Sequence, residues 1–203
     1  MKRLNLIKIA AVAVFVLAVA GFGFLFAQRS ETQTRRPEPT PEKTLADARE
    51  VAGYKNWTKV NDKPQYMASK VAVMCASPTQ SQLDRDAKDP HKDKFINVYV
   101  NDTGKTEMLT KKSPQFPAGT VIVKEKLPAA DSTTPELLTV MIKRDKGFNP
   151  EVGDWEFMTV DGTGTKITAR GQLENCRECH LDYSKTDFVT RVYLPADVQS
   201  KLK

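Results

Sequence analysis

Residues 119–127 have the sequence GTVIVKEKL, and this stretch decides the class of fold that the chain predicts. Successive side chains of a β-strand point to opposite faces of a sheet. One face of this stretch carries Val121, Val123 and Leu127, and the other carries Ile122, Lys124 and Lys126. The alternation predicts a strand that separates an apolar face from a face with two lysines.

Three other segments have the same strand-like pattern. Residues 95–100 place Ile96, Val98 and Val100 on one face and Phe95, Asn97 and Tyr99 on the other, and Asn101 to Gly104 is predicted as a turn. Leu137 to Lys143 and Trp155 to Val160 follow, the latter ended by Asp161 and Gly162.

Helical signals are fewer. A short helix is predicted from Pro41 to Val51, with Thr40 as its cap and Gly53 after its end. Residues 174–181 and 196–202 are each compatible with a helix. Together with the strands, these segments predict one β-rich domain of the α+β class over residues 43–203.

The N-terminal segment predicts export. Lys2, Arg3 and Lys8 flank an uncharged apolar run from Ile9 to Ala27. A cleaved signal peptide and a retained membrane anchor both fit residues 1–27, although Leu25 is a poor residue for a cleavage site and favours the anchor. In either case the rest of the chain is expected in the periplasm, because the positive end stays cytoplasmic.

Residues 28–42 are polar and contain three prolines, which predicts a tether without a core of its own.

The net charge of +6 does not indicate a nucleic-acid-binding protein. Three of the 31 Lys and Arg residues belong to the N-terminal segment, and the remaining 28 nearly balance 25 acidic residues. No nucleic-acid partner is therefore expected.

The chemically most informative motif is CRECH at residues 176–180. On a helix, Cys176 and Cys179 lie one turn apart on one face, so both sulfurs can form thioethers with the two vinyl groups of one haem. His180 follows directly and is the expected iron ligand. The motif predicts one covalently attached haem c in an exported protein.

Other interpretations of these residues remain open. A disulfide, or a zinc site formed by Cys75, Cys176, Cys179 and His180, would use the same side chains. Cys75 is otherwise expected to be an inert core residue. His91 is expected on a loop or at the surface, with a role as sixth haem ligand as the alternative.

Several short segments resemble the cytochrome P-460 family and its relative cytochrome c′-beta. In chain order, these segments are YKNW at 54–57, VYVN at 98–101, GTVIVKE at 119–125, GDWEF at 153–157, and ENCRECH with SKTDFVTR after it. The resemblance implies a mostly antiparallel β-sheet with flanking helices, one haem held by His180, a homodimer, and a periplasmic or membrane-attached setting.

The resemblance also implies roles for individual residues. Lys124 corresponds to a strand lysine that some members join covalently to the haem ring, and burial near a haem edge would make such a lysine a nucleophile. The family's distal carboxylate, which transfers protons, corresponds to Thr139. Glu136 could replace it only if the register shifted by three residues.

Aromatic and charged residues complete the expected site. Trp155, Phe157 and Phe148 are candidates for the pocket wall, with plain core packing as the alternative. Arg191, in the segment after the haem motif with Asp187, is a candidate partner of a haem propionate, with surface ion pairing as the alternative.

Three functions are compatible with these observations. The first is an oxidoreductase that binds and oxidises small nitrogen compounds such as hydroxylamine or nitric oxide and passes electrons to a redox partner cytochrome. The second is a cytochrome c′-beta-like protein that binds gases or transfers electrons without turnover. The third is a structural zinc or disulfide domain. The absence of a carboxylate at Thr139 weakens the first, because bound hydroxylamine would lack a general base.

Overall fold

The computed structural model describes Arg49, Val51 and residues 53–203, which all belong to one compact unit, Pro39–Lys203. The predicted signal or anchor (1–27) and the predicted tether (28–42) lie outside the described residues. Most of the helix predicted from Pro41 to Val51 also lies outside them, although Arg49 and Val51 are helical. Within the described part of the chain, no helix has the length and apolar character needed to cross a membrane.

The described residues form an antiparallel sheet of seven strands. The strands are β1 (Thr58–Lys59), β2 (Gln65–Met67), β3 (Lys94–Val100), β4 (Val121–Leu127), β5 (Leu137–Lys143), β6 (Trp155–Asp161) and β7 (Ile167–Gly171). Their order is β1-β3-β4-β5-β6-β7, and β2 pairs with β3 beside β1. The four strands predicted from alternation are the four central strands, so that prediction is confirmed.

Four short helices flank this sheet in the described residues: α1 (Gln80–Ala87), α2 (Asp102–Thr110), α3 (Glu174–His180) and α4 (Ala196–Gln199). The α+β class with a mostly antiparallel sheet is therefore confirmed. Helix α3 matches the segment predicted at 174–181 to within one residue, and α4 is shorter than the segment predicted at 196–202.

The predicted turn from Asn101 to Gly104 is wrong, because Asn101 is the N-cap of α2. Its side-chain oxygen accepts a hydrogen bond from the backbone N–H of Gly104 at 3.3 Å. Asparagine favours turns and helix N-caps for the same reason, since its side chain replaces a missing backbone partner. Gly104 is required here by packing, because a Cβ atom would lie 2.3 Å from Cγ2 of Thr120.

Strand β4 is one of the two middle strands of the sheet, and all seven of its residues are buried. Lys124 pairs with Val98 on β3 and with Thr139 on β5. One face of the sheet carries an apolar core that includes Ile96, Val98, Val100, Ile122, Met141, Trp155 and Phe157. The other face packs Val121, Val123, Leu138, Val140, Ile142, Met158 and Val160 with Val51 and Tyr54. Lys124 and Lys126 share the face of Ile122, because alternate residues of a strand point the same way. Thr139 lies on that face as well, since it pairs with Lys124.

Candidate functional site

A pocket of about 800 Å³, its open mouth included, lies on the lysine-bearing face of the sheet. It brings together seven candidate site residues singled out from the sequence: His91, Lys124, Thr139, Phe157, Cys176, Cys179 and His180. Its floor comes from the central strands, and helix α3 supplies one wall.

Helix α3 presents both cysteines of the CRECH motif to the pocket. Cys176 and Cys179 are three residues apart, which places them on the same side of the helix. Both side chains are partly exposed and free. Burial, and then the neighbouring Cys179, raise the pKa of Cys176 to about 11, so this sulfur is a thiol at neutral pH.

His180 ends α3 with its imidazole fixed by one hydrogen bond. Its Nδ1 atom lies 2.6 Å from the carbonyl oxygen of Phe188, which can only accept, so Nδ1 carries the proton and donates it. Burial, and then the charge of Lys124, lower the pKa of His180 to about 3. The ring lies against Phe157, with 5.1 Å between centroids. The neutral ring therefore keeps the Nε2 lone pair for a metal.

The Phe188 carbonyl is positioned by an unusual pair of residues, because Asp187 and Phe188 both have left-handed backbone conformations, with φ of 51° and 62°. The buried Asp187 carboxylate accepts from the backbone N–H of Phe116 at 2.8 Å and from Nζ of Lys143 at 2.6 Å. The indole Nε1 of Trp155 donates to the Asp187 carbonyl at 2.7 Å. These bonds hold the segment that orients His180.

The GDWEF segment, residues 153–157, contributes to the site mainly by holding Asp187 and Phe188 in position. A Cβ atom on Gly153 would lie 2.6 Å from Asp187 Oδ1 and 2.8 Å from Phe188 Cδ2, so only glycine leaves room for the pair. Phe157 lines the pocket, whereas Trp155 and Phe148 are not among the described residues that do. Trp155 instead packs on Phe116 at a centroid distance of 5.5 Å.

Lys124 and Thr139 are neighbours across β4 and β5 and both face the pocket. Burial lowers the pKa of Lys124 to about 8, so a fraction of this amine is neutral near pH 7. Its Nζ lies 5.4 Å from the centre of the Tyr193 ring. The Thr139 hydroxyl is buried and has no hydrogen-bond partner within the described residues. An amine and a free hydroxyl thus face the same cavity.

The loop between α1 and β3 contributes two titratable residues to the pocket: Asp89, which the sequence did not single out, and His91, for which a role as sixth haem ligand was the alternative expectation. Lys70, from the segment after β2, also lines the pocket. Asp89 is the only carboxylate among the described lining residues. No local pattern identifies Asp89 and Lys70, because the fold of the segment between β2 and β3 brings them to the pocket.

Several other candidates lie away from the pocket lining. The guanidinium of Arg191 donates to the carbonyl oxygens of Lys111 at 2.6 Å and Lys112 at 2.8 Å, so its role towards a haem propionate stays a prediction. Glu136 precedes β5 and forms an ion pair with Lys94. Cys75 is exposed, so the expectation of a core position was wrong.

The residues present fit a covalent haem better than a zinc ion. Two thiols and one imidazole with a free Nε2 share an apolar pocket, and the hydroxyls of Thr139 and Thr190, which also line it, are buried without partners in the described part of the chain. Among those residues, no group of three or more His, Cys, Asp or Glu side chains is placed to hold a metal ion. The zinc alternative therefore has no site there.

Comparison with known protein families matches residues 51–191 to Cytochrome P460. The search of curated proteins gave no match. Proteins of the Cytochrome P460 family bind a covalently attached haem c. In this chain, Cys176 and Cys179 would hold that haem and His180 would bind its iron, in agreement with the geometry of α3 and the pocket. The chain belongs to the cytochrome P460 family.

Proposed function

We propose that this protein is an exported c-type cytochrome whose haem keeps one iron coordination position open for small nitrogen compounds such as hydroxylamine and nitric oxide. One observation carries the proposal. His180, which carries a free Nε2 lone pair, lines the same pocket as the Lys124 amine and the Thr139 hydroxyl. When bound, the haem supplies an iron that accepts electrons and binds a ligand.

The protein's own side chains hold and tune that site. Thioethers at Cys176 and Cys179 keep the cofactor in place, and the Phe188 carbonyl fixes the orientation of His180. Lys124 presents a buried amine whose pKa of about 8 leaves it partly neutral, so it can donate or accept a hydrogen bond in the cavity. The apolar face around Ile122 and Phe157 excludes water from the ligand.

A second candidate function is gas binding without turnover, as in cytochrome c′-beta. Thr139 favours it, because the position opposite Lys124 holds a hydroxyl in place of a carboxylate. A hydroxyl can donate a hydrogen bond to a bound diatomic gas, but it is a poor general base for removing protons from hydroxylamine. Both functions require the same open haem, a periplasmic setting and a redox partner cytochrome, and we also propose a homodimer.

Hydroxylamine turnover with an artificial electron acceptor separates the two. The oxidoreductase predicts turnover in the native holoprotein that falls at least tenfold in Lys124→Ala, with Lys126→Ala as the matched control on the same strand and face. Equal, background-level rates in all three proteins, together with reversible nitric oxide binding, would select the gas-binding function. Failure to bind any small ligand at the haem would contradict both.

A further inference from the structure

The pocket has two walls that come from distant parts of the chain. His180 lies over β6, in contact with Phe157. His91 comes from the loop of residues 88–93, which leads directly into β3 at Lys94 and lines the pocket together with Met67 of β2 and Ile96 of β3. Strands β3 and β6 are three strand spacings apart, or about 14 Å. The two histidines thus come from different elements that line one cavity, and Lys124 and Thr139 lie on β4 and β5, the strands between β3 and β6.

The loop that carries His91 is firmly held. Its Lys92 forms a 2.7 Å ion pair with Asp86 of α1, and the Asp86 carboxylate also accepts from the Ser69 hydroxyl at 2.9 Å. At the other end, the backbone N–H of Asp93 donates to the Met67 carbonyl at 2.8 Å. Within the loop, the backbone N–H of His91 donates to Asp89 at 2.8 Å. These contacts hold the loop backbone on both sides of His91.

The His91 imidazole has no hydrogen-bond partner in the described part of the chain, unlike that of His180. Burial, followed by the electrostatic effect of the neighbouring basic side chains, chiefly Lys126 and Lys124, lowers its pKa well below the usual value. The Asp89 carboxylate, on the same loop, is the acidic group that faces the same cavity. His91 is therefore neutral at pH 7 and has both an N–H donor and a lone pair available.

We infer that His91 is the residue that would hydrogen-bond the outer atom of a ligand bound at the open iron position of the haem. The inference rests on the proposed function, since it requires an iron that binds such a ligand. Thr139 can offer the ligand only a hydroxyl, whereas His91 would offer it an imidazole N–H. The inference also excludes His91 as a permanent iron ligand, because a ligated imidazole could not make this contact.

Carbon monoxide is the probe, because its stretching frequency reports hydrogen-bond donors near its oxygen. The ferrous carbon monoxide complex of the holoprotein is compared with His91→Leu and His91→Gln by infrared spectroscopy, with Lys88→Gln as a control at the exposed end of the same loop. We expect the stretch to rise in His91→Leu, because the donor is lost. His91→Gln should recover most of the native frequency, and Lys88→Gln should leave it unchanged.

Three results would overturn the inference or its foundation. An unchanged stretch in His91→Leu removes His91 from the ligand while leaving the proposed function intact. A ferric protein that is six-coordinate and low-spin, and becomes high-spin in His91→Leu, identifies His91 as an iron ligand. A holoprotein that binds no carbon monoxide contradicts the proposed function itself.

Discussion

Nδ1 of His180 lies 2.6 Å from the carbonyl oxygen of Phe188, eight residues further along the chain. The carbonyl belongs to one of two consecutive residues with left-handed backbone conformations, and the other, Asp187, is bonded to Phe116 and Lys143. The orientation of His180, the expected iron ligand, therefore depends on contacts from β5 and from the loop before β4, far from the CRECH motif. A metal-bound histidine with such a partner is fixed in tautomer and is a stronger electron donor.

Gly153→Ala tests whether the close packing at Gly153 keeps the Phe188 carbonyl in position to orient His180. The new Cβ would collide with Asp187 and Phe188, so we expect the free energy of unfolding of the holoprotein to fall by about 1–3 kcal/mol beyond the cost of backbone strain. The displaced carbonyl should also weaken the His180 hydrogen bond and change the iron–histidine stretch in resonance Raman spectra.

Gly147→Ala is the matched control, because Gly147 also has positive φ, 95°, but a Cβ atom there would meet nothing within 4 Å. It carries the backbone strain without the collision. Equal destabilisation of the two variants, with an unchanged iron–histidine stretch in both, would show that Gly153 does not protect the position of Phe188.

The sheet was predictable because its central strands have strong, local alternation. Lys94–Val100 and Leu137–Lys143 are strands within a residue or two of their predicted bounds. Helix α1 was missed although Thr79 and Gln82 form a capping box, a signal that its sequence carries. Helix α2 was missed because it contains Gly104, a poor helix former. Glycine is needed at this position because Thr120 packs closely against it, and only the tertiary structure shows this contact.

Lys126→Met should stabilise the protein. The Nζ atom of Lys126 is buried, and it has no hydrogen-bond partner in the described part of the chain. An unsatisfied buried polar group costs about 1–3 kcal/mol, and methionine fills a similar volume without it. We expect the free energy of unfolding measured in urea to rise by that amount.

The exposed Lys105→Met variant on α2 serves as the control for Lys126→Met and should change stability by less than about 0.5 kcal/mol. A destabilised Lys126→Met holoprotein would mean that the bound haem provides this amine with a partner, such as a propionate.

Asp86 should stabilise the loop of residues 88–93 in a pH-dependent way. The ion pair with Lys92, and then the Ser69 hydroxyl and the Val71 N–H, keep the pKa of Asp86 below its ordinary value of 3.8 against the opposing effect of burial. Because the pKa of Asp86 is lower in the folded state than in the unfolded state, its charged carboxylate stabilises the fold at pH values above 3.8. This stabilisation is lost as the pH falls through the folded-state pKa. Asp86→Asn should therefore destabilise the protein at pH 7 and differ little from the native protein near pH 2.

Thermal unfolding across that pH range measures the effect, with Asp84→Asn on the exposed side of the same helix as the comparison. A deficit in Asp86→Asn that stays constant from pH 7 to pH 2 would show that the lost charge is not its cause.

The site was predictable only where the motif is contiguous. Cys176, Cys179 and His180 lie within five residues, so their spacing alone indicated a haem. The strand register then placed Lys124 beside Thr139. His91 was expected on a loop or at the surface, with sixth haem ligand as the alternative, and the sequence could not choose between them because its position depends on ion pairs and backbone bonds of the loop of residues 88–93.

The intact mass of the mature protein, produced in a host that assembles c-type cytochromes, tests the central claim most directly. The account predicts one added haem per chain that survives denaturation and is absent from the Cys176→Ala, Cys179→Ala double variant. A folded, exported protein whose mass contains no haem would contradict it.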